Sequence, residues 1–457
     1  MPNFAAVLLR ESMMRKLIVF TAAVFCSLTA IAQSAWTLQD CLDYAMQNNI
    51  TLQRARLQQQ SAAEEVKGQK AALLPSLSAS TNHSVGYRPW QDVGVTTVTN
   101  GQVNAKVDKS YYNGSYGLNA QWTVWNGNRN RNNVKMSELS EQQAELEAAT
   151  TANSIQERIA QLYVQILYLD EAIKVSQSSL ETSKKNEERG REILEVGKMS
   201  RADLAQLTAQ RATDEYNVVE AQAQKATYLL QLKQLLELTA DQEFDIVVPA
   251  ATDEQALGEI PSLQDVYEQA LAYRPEIENS RLAIESSGLN LAIAKAGRLP
   301  SIGVTGGIGS STNSLSKNGW GTQMKTNYDM SGGVTVSIPL FDQRQTRTQV
   351  NKARIQQQQA LLDLQDQQKQ LYQTIEQYWL DATTNQQKFR AAMTNVESEE
   401  QSYNLLEEKF HVGLTNIVEL MSGKDRLLSA QQNRLQSKYQ TLLNMQLLRF
   451  YAGQSAK

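Results

Sequence analysis

From about Asn126 to Glu195, roughly 70 residues run without a proline. Within them Ile155, Ile159, Leu162, Ile166, Leu169 and Ile173 alternate steps of four and three, the seam of a coiled-coil-like helix. A second uninterrupted stretch runs from about Gln343 to His411. At 1.5 Å per residue a 70-residue helix is ~105 Å long, far beyond the usual globular helix. Each long segment ends in a glycine turn, at Gly197 and Gly413, and a shorter helix follows, about 201–238 and about 417–450. In the last of these Met421, Leu428, Leu435 and Leu442 recur at sevens.

Upstream of each long helix the period changes to two. Tyr112, Gly114, Tyr116, Leu118, Ala120, Trp122 and Val124 alternate with Asn113, Ser115, Gly117, Asn119, Gln121 and Thr123. Tyr328, Met330, Val334, Val336, Ile338 and Leu340 alternate in the same way with polar residues. The expected strands are about 76–90, 110–125, 300–312 and 327–340. An apolar face over a polar face suits a barrel wall with lipid outside and water inside. Tyr111, Tyr112, Trp122, Trp125 and Trp90 lie toward strand ends, where an aromatic girdle is expected. Periodicity alone fits a soluble sandwich face as well. Gln-rich helices, which offer such a face no apolar cover, weigh toward the barrel.

The landmarks occur twice. Leu38-Gln39-Asp40 returns as Leu263-Gln264-Asp265, and Leu74-Pro75-Ser76-Leu77 as Leu299-Pro300-Ser301-Ile302, both 225 residues on. Trp125-Asn126 aligns with Phe341-Asp342, and Val196-Gly197 with Val412-Gly413, both 216 residues on. The first copy has the longer loop between Pro75 and Trp125. The expected organisation is a signal peptide over 1–32, a first repeat over 33–238, a linker over 239–262 with Pro249 and Pro261, and a second repeat over 263–453. Each repeat reads helix, two strands, long helix, turn, helix.

The N-terminus reads as an export signal. Arg10, Arg15 and Lys16 precede an apolar run from Leu17 to Ala32 that closes on Ala30-Ile31-Ala32. Either Met1 or Met14 serves as the start. After cleavage Cys41 is the only cysteine left, so no internal disulfide is expected. The formal charge of −4 and the lack of a dense basic block argue against a nucleic-acid partner. Two His and two Cys leave little from which to build a metal site, and no cofactor is expected. No H-E-x-x-H, P-loop or G-x-S-x-G motif occurs, so no enzymatic activity is expected.

Four strands do not close a membrane barrel, and an open sheet edge in lipid is excluded. If these strands span a membrane, several chains share one barrel. Three chains of four strands make twelve, between a filled eight-stranded barrel and a broad porin. That points to a conduit.

At this level the chain resembles the TolC family of trimeric outer-membrane efflux ducts, over about Trp36 to Gly453. Three features carry the resemblance. One is the repeat opening Ala270-Leu271-Ala272-Tyr273-Arg274-Pro275-Glu276-Ile277, more degenerate at Ala45-Met46-Gln47-Asn48-Asn49-Ile50. The others are the L-P-S junctions at Pro75 and Pro300 and the Val412-Gly413-Leu414-Thr415-Asn416 turn, seen as Val196-Gly197-Lys198-Met199-Ser200 in the first copy. The resemblance implies an α+β membrane protein: a twelve-stranded trimeric β-barrel in the outer membrane over a periplasmic α-barrel of long coiled-coil-like helices. It implies an exit duct of a tripartite efflux pump or type I secretion system, with Val196 to Ser200 and Val412 to Asn416 meeting a periplasmic adaptor and, through it, an inner-membrane pump. It also implies a periplasmic constriction at Asp203 and Glu419, each six residues past its turn glycine. One departure stands out: Thr415 occupies the position of an Arg that helps lock the family's prototype closed. The other function class consistent with the pattern is a secreted coiled-coil structural or adhesive protein, in which heptads would continue instead of giving way to strands.

Overall fold

The computed structural model describes residues 35–90, 93–98, 101–106, 109–239, 241–242, 244–249 and 252–454. The expected signal peptide lies outside the described residues. In chain order the elements are α1 (Leu38–Asn48), α2 (Ile50–Ala71), β1 (Ser76–Tyr87), β2 (Val93–Val98), β3 (Gly101–Lys106), β4 (Ser110–Trp125), α3 (Arg129–Glu195) and α4 (Arg201–Leu235). Then come α5 (Asp253–Ala256), α6 (Leu263–Tyr273), α7 (Pro275–Ala296), β5 (Ser301–Asn313), α8 (Trp320–Thr326), β6 (Asp329–Ser337), α9 (Gln345–His411) and α10 (Ile417–Tyr451). The long helices α3 and α9 have 67 residues each, and α4 and α10 have 35 each.

Three features differ from the sequence expectation. The opening helix of each copy is two helices. In the first, Asn49 breaks the run, its Oδ1 accepting the backbone N–H groups of Thr51 and Leu52 at 2.9 and 3.1 Å. In the second, Pro275 starts α7 at a position where a missing N–H costs nothing. The longer loop of the first copy contains the β2–β3 hairpin, paired from Val93↔Lys106 to Val98↔Gly101. Finally, β6 spans 329–337, shorter than the expected 327–340.

The chain divides into two compact units, one of residues up to 53, 151–273 and 372 onward, the other of 54–150 and 274–371. In the first unit, Cys41, Leu52, Ile159, Leu162, Ile166, Leu232, Leu236 and Ile246 form a buried core. Most of the seam read from the sequence lies there. On α10 the stripe at sevens is only half-buried, and the buried face carries Leu420, Gly423, Lys424, Ala430, Ser437, Lys438 and Thr441. Hydropathy does not find this face because much of it is polar. One-turn helix α5 docks on α10 through Asp253, which pairs with Arg434 at 2.5 Å and Lys438 at 3.2 Å. Burial works against the Asp253 carboxylate, but the hydrogen bonds from the two cations outweigh it and hold its pKa below the ordinary range.

The second unit holds an antiparallel four-stranded sheet in the order β1-β4-β5-β6. Cross-strand partners share a face. Leu77, Ala79 and Val85 therefore lie on the face of Leu118, Ala120 and Tyr112, continued by Val304 and Ile308 and by Met330, Val334 and Val336. This face is apolar and open, with Leu77 75%, Val85 82%, Met330 67% and Val334 69% exposed. The opposite face carries Ser78, Ser80, Asn82, Ser115, Asn119, Gln121, Thr305 and Ser331. Tyr111 departs from the expected girdle. It pairs with Gly86 and lies on the polar face, since neighbours Tyr111 and Tyr112 must point to opposite sides. A bulge between Thr123 and Trp125 returns Trp125 to the apolar face, opposite Ile302. Trp90 lies beyond β1 and is 93% exposed. Among the described residues no helix is long and apolar enough to cross a membrane.

Both strand-to-helix junctions use two consecutive left-handed residues, Gly127-Asn128 (φ 68° and 66°) and Gln343-Arg344 (φ 50° and 70°). Asn126 Oδ1 then accepts the Asn130 backbone N–H at 3.2 Å, and Asp342 accepts that of Thr346 at 2.8 Å.

Candidate functional site at the helical turns

The two turns of the first unit close by the same chemistry. Gly197 (φ 73°) donates its N–H to Leu194 O at 2.9 Å, and Lys198 to Ile193 O at 3.0 Å. Gly413 (φ 75°) donates to Phe410 O at 3.1 Å, and Leu414 to Lys409 O at 2.8 Å. This is the left-handed helix cap that favours glycine. Nothing lies within 4 Å of a Cβ built on either glycine, so conformation, not space, selects the residue.

The next helices start with matching caps. Ser200 is the N-cap of α4: its Oγ accepts the Asp203 N–H at 3.1 Å, and Asp203 Oδ2 accepts from the Ser200 Oγ–H and N–H at 2.8 and 3.3 Å. Asn416 is the N-cap of α10, its Oδ1 accepting the Glu419 N–H at 2.9 Å, while Glu419 accepts the Thr415 hydroxyl. Both predicted constriction acids thus stand at the third position of a post-turn helix and are held by their own caps. Sequence reading passed over this role, although S-x-x-D and N-x-x-E were legible signals for it. No hydrogen bond or ion pair joins Asp203 to Glu419 among the described residues. Thr415, which departs from the family's Arg, donates its hydroxyl to Glu419.

Around the caps Leu207, Tyr403, Phe410, Ile417 and Leu420 form a small core against which Met199, Leu406 and Met421 pack. The turn side chains point away from it: Val196, Val412 and Leu414 are 68%, 69% and 76% exposed, as is Val418 at 62%. Exposed apolar side chains on two adjacent turn types are a surface without a partner in the single chain. Lys198 and His411 are exposed beside them.

The helices approach closely where glycine meets leucine. A Cβ on Gly190 of α3 would lie 2.5 Å from Leu207 of α4, and one on Gly423 of α10 would lie 2.6 Å from Leu406 of α9. The long helix contributes the glycine in one hairpin and the leucine in the other.

Farther from the turns lies a buried polar layer whose members are too distant along the chain to be grouped by local pattern. Lys424 of α10, Asp214 of α4 and Ser183 of α3 are 5%, 1% and 3% exposed. Lys424 Nζ donates to Asp214 and to Ser183 Oγ, and the Ser183 hydroxyl donates to Asp214. Beside it Glu187 pairs with Arg191 and Arg211, both at 2.7 Å, and the Arg191 hydrogen bond chiefly holds its carboxyl below the usual range. Burial pushes the neighbouring Asp425 carboxyl up, against the pull of Lys424. Among the described residues no group of three His, Cys, Asp or Glu could hold a metal ion.

A sequence model of the outer membrane efflux protein family matches residues 41–237 and 266–454. The chain is 24% identical over 417 residues to outer membrane efflux protein BepC of Brucella suis, covering 91% of this chain and 85% of that one. It is 24% identical over 443 residues to alkaline protease secretion protein AprF of Pseudomonas aeruginosa, covering 96% and 89%. Among solved structures, CusC superimposes with a TM-score of 0.77 at 17% identity, covering 93% of this chain and 96% of that one. A free-standing coiled-coil structural or adhesive protein is no longer a tenable reading. The chain belongs to the outer membrane efflux protein family, and it acts in the outer membrane as an exit duct.

Proposed function

We propose that three copies of this chain close a shared twelve-stranded barrel in the outer membrane and conduct cargo passively outward. One observation carries this reading. The sheet ends in two strands, β1 and β6, whose outer edges have no described partner, and one of its faces is apolar and open. In lipid such edges must be paired, and another copy of the same sheet can do so. The two family-matched segments, the paired left-handed junctions and the twin caps support an internal duplication of the chain into repeats 33–238 and 263–453, joined by 239–262.

The turns Val196 to Ser200 and Val412 to Asn416 are then the docking tips for a periplasmic adaptor of an inner-membrane pump. The exposure of Val196, Val412 and Leu414 supports this assignment. Asp203 and Glu419 serve as carboxylate rings at the periplasmic end, with their positions set by the caps. BepC is named for efflux and AprF for protease secretion, and either class of cargo route suits the same duct.

The test is the native mass of protein extracted by detergent from an outer-membrane fraction. A particle of three chains is expected, and a monomer would overturn the reading. Asp203→Asn and Glu419→Gln then separate the two roles of the acids. Both amides can still accept at the cap, so folding should persist while cation preference falls.

A further inference from the structure

The polar face of the four-stranded sheet is almost uncharged. Along its strands the residues are Ser, Thr, Asn, Gln and Gly, with Asp329 on β6 as the one carboxylate among the described residues. At the end of the sheet remote from the helix junctions this changes. Gly86 of β1 faces Tyr111 of β4, and a Cβ on Gly86 would lie 2.2 Å from the Tyr111 ring. The ring therefore fills the space that a side chain at position 86 would take, and it lies flat on the strand. The Arg88 guanidinium carbon sits 4.4 Å from the centroid of that ring. Two hydrogen bonds brace the backbone here: Arg88 N–H to Lys109 O at 2.7 Å and Lys109 Nζ to Pro89 O at 3.2 Å.

A solvent-exposed arginine ordinarily samples many rotamers, and its charge is smeared over them. Stacking on an aromatic face restricts the guanidinium plane and leaves its N–H groups free to meet anions. Here glycine, tyrosine and arginine form one stack that holds a positive charge on the polar face. Among the described residues no carboxylate pairs with Arg88. Asp329 lies at the level of Ser80, through Gly309 and Gly117, six residues along β1 from Gly86.

We propose that Arg88, held by Tyr111 in the Gly86 notch, is a fixed cationic post in the wall of the outlet mouth, one per chain, that favours anionic solutes at that end of the duct. The solutes recognised are those bearing carboxylate, phosphate or sulfate groups. The inference rests on the shared-barrel reading, which puts the polar face on the lumen. Rings of charged side chains set the sign preference of wide pores without closing them. Asp329 deeper in the wall opposes Arg88, so the two residues should move selectivity in opposite directions.

The experiment uses the full-length trimer in planar bilayers under a potassium chloride gradient, reading the potassium-to-chloride permeability ratio from the reversal potential. Three charges about one Debye length from the pore axis shift each ion's partitioning about twofold at ~0.1 M salt, in opposite senses for potassium and chloride, and so change that ratio by about fourfold. Arg88→Gln should raise the ratio by that factor, and Arg88→Glu by more. Asp329→Asn should lower it. Tyr111→Ala keeps the charge but frees it, so it should shift the ratio in the Arg88→Gln direction by a smaller amount. Arg88→Gln trimers that conduct with the parent's ratio would overturn the inference alone. Parent trimers that insert but carry no current would overturn the duct reading and this inference with it.

Discussion

Replacing Lys424 by Met should loosen the helical hairpins next to the turns, and the structure sets the size of the effect. Lys424 is 5% exposed, and its partner Asp214 is 1% exposed. Without the ammonium group Asp214 keeps only the Ser183 hydroxyl and a 3.4 Å contact from Gln210 Nε2. Removing one member of a buried ion pair costs about 3–5 kcal/mol, because the remaining charge stays out of water unpaired. At 1.4 kcal/mol per factor of ten, local opening should become about 10²- to 4 × 10³-fold more frequent. Met is close to Lys in length and leaves little cavity, so the cost is electrostatic rather than one of packing.

The assay is amide hydrogen exchange of the detergent-extracted protein, followed by mass spectrometry over residues 176–190 and 418–430. Local opening is what such exchange measures in a protein whose global unfolding is not two-state. The informative comparison is the variant Lys424→Met, Asp214→Leu, Ser183→Ala. With all three polar partners gone no group is left unsatisfied, and an apolar layer is neutral to stabilising by ~1–4 kcal/mol. Protection should therefore be lost in the single variant and return in the triple. If the single variant exchanges within about threefold of the parent, or the triple exchanges as fast as the single, the layer is not an electrostatic clamp.

Three other expectations follow from the packing and the titrating groups. Gly190→Leu should destabilise the α3–α4 hairpin by about 1–3 kcal/mol through overlap with Leu207, and adding Leu207→Gly should recover much of it, because the pair then matches Leu406 opposite Gly423; thermal melting of the detergent-extracted protein reads both. Cys41 is fully buried and its thiol is pushed up to about 12, mainly by burial and then by Asp40, so maleimide at pH ~8 should label it only in denaturant, since the thiolate is the reactive form. The Asp253 pKa is lowered in the fold, so its contribution is complete above the unfolded value of about 4 and is lost as pH falls below that; exchange over residues 252–258 should rise with acid beyond its intrinsic pH dependence, and Asp253→Asn should remove that response.

What the sequence made legible follows from the range of each interaction. The long helices declare themselves through local period and lack of proline, and the turns through single glycines, the residue that reaches φ near 75° at least cost. The β2–β3 hairpin was equally local. Asn100-Gly101, flanked by the β-branched run Val95-Thr96-Thr97-Val98 and by Val103, is a turn signal, and counting the segment as loop length obscured it. The split of each opening helix was also legible, from Asn49 and from Pro275.

The buried layer was not. Ser183 and Asp214 are 31 residues apart, and Lys424 lies 210 residues beyond Asp214, on a face that hydropathy scores as solvent. Nothing in the neighbourhood of any one of them marks it as buried. Tyr111 is an intermediate case. Strand parity places it opposite Tyr112, but the girdle pattern groups the two by composition, and parity prevails because the pleat leaves adjacent residues no common face. The family match specifies which architecture the strands and helices build. Two contacts of the chain, a lysine clamp near the turns and an arginine stacked at the far end of the sheet, lie where composition gives no signal and only register does.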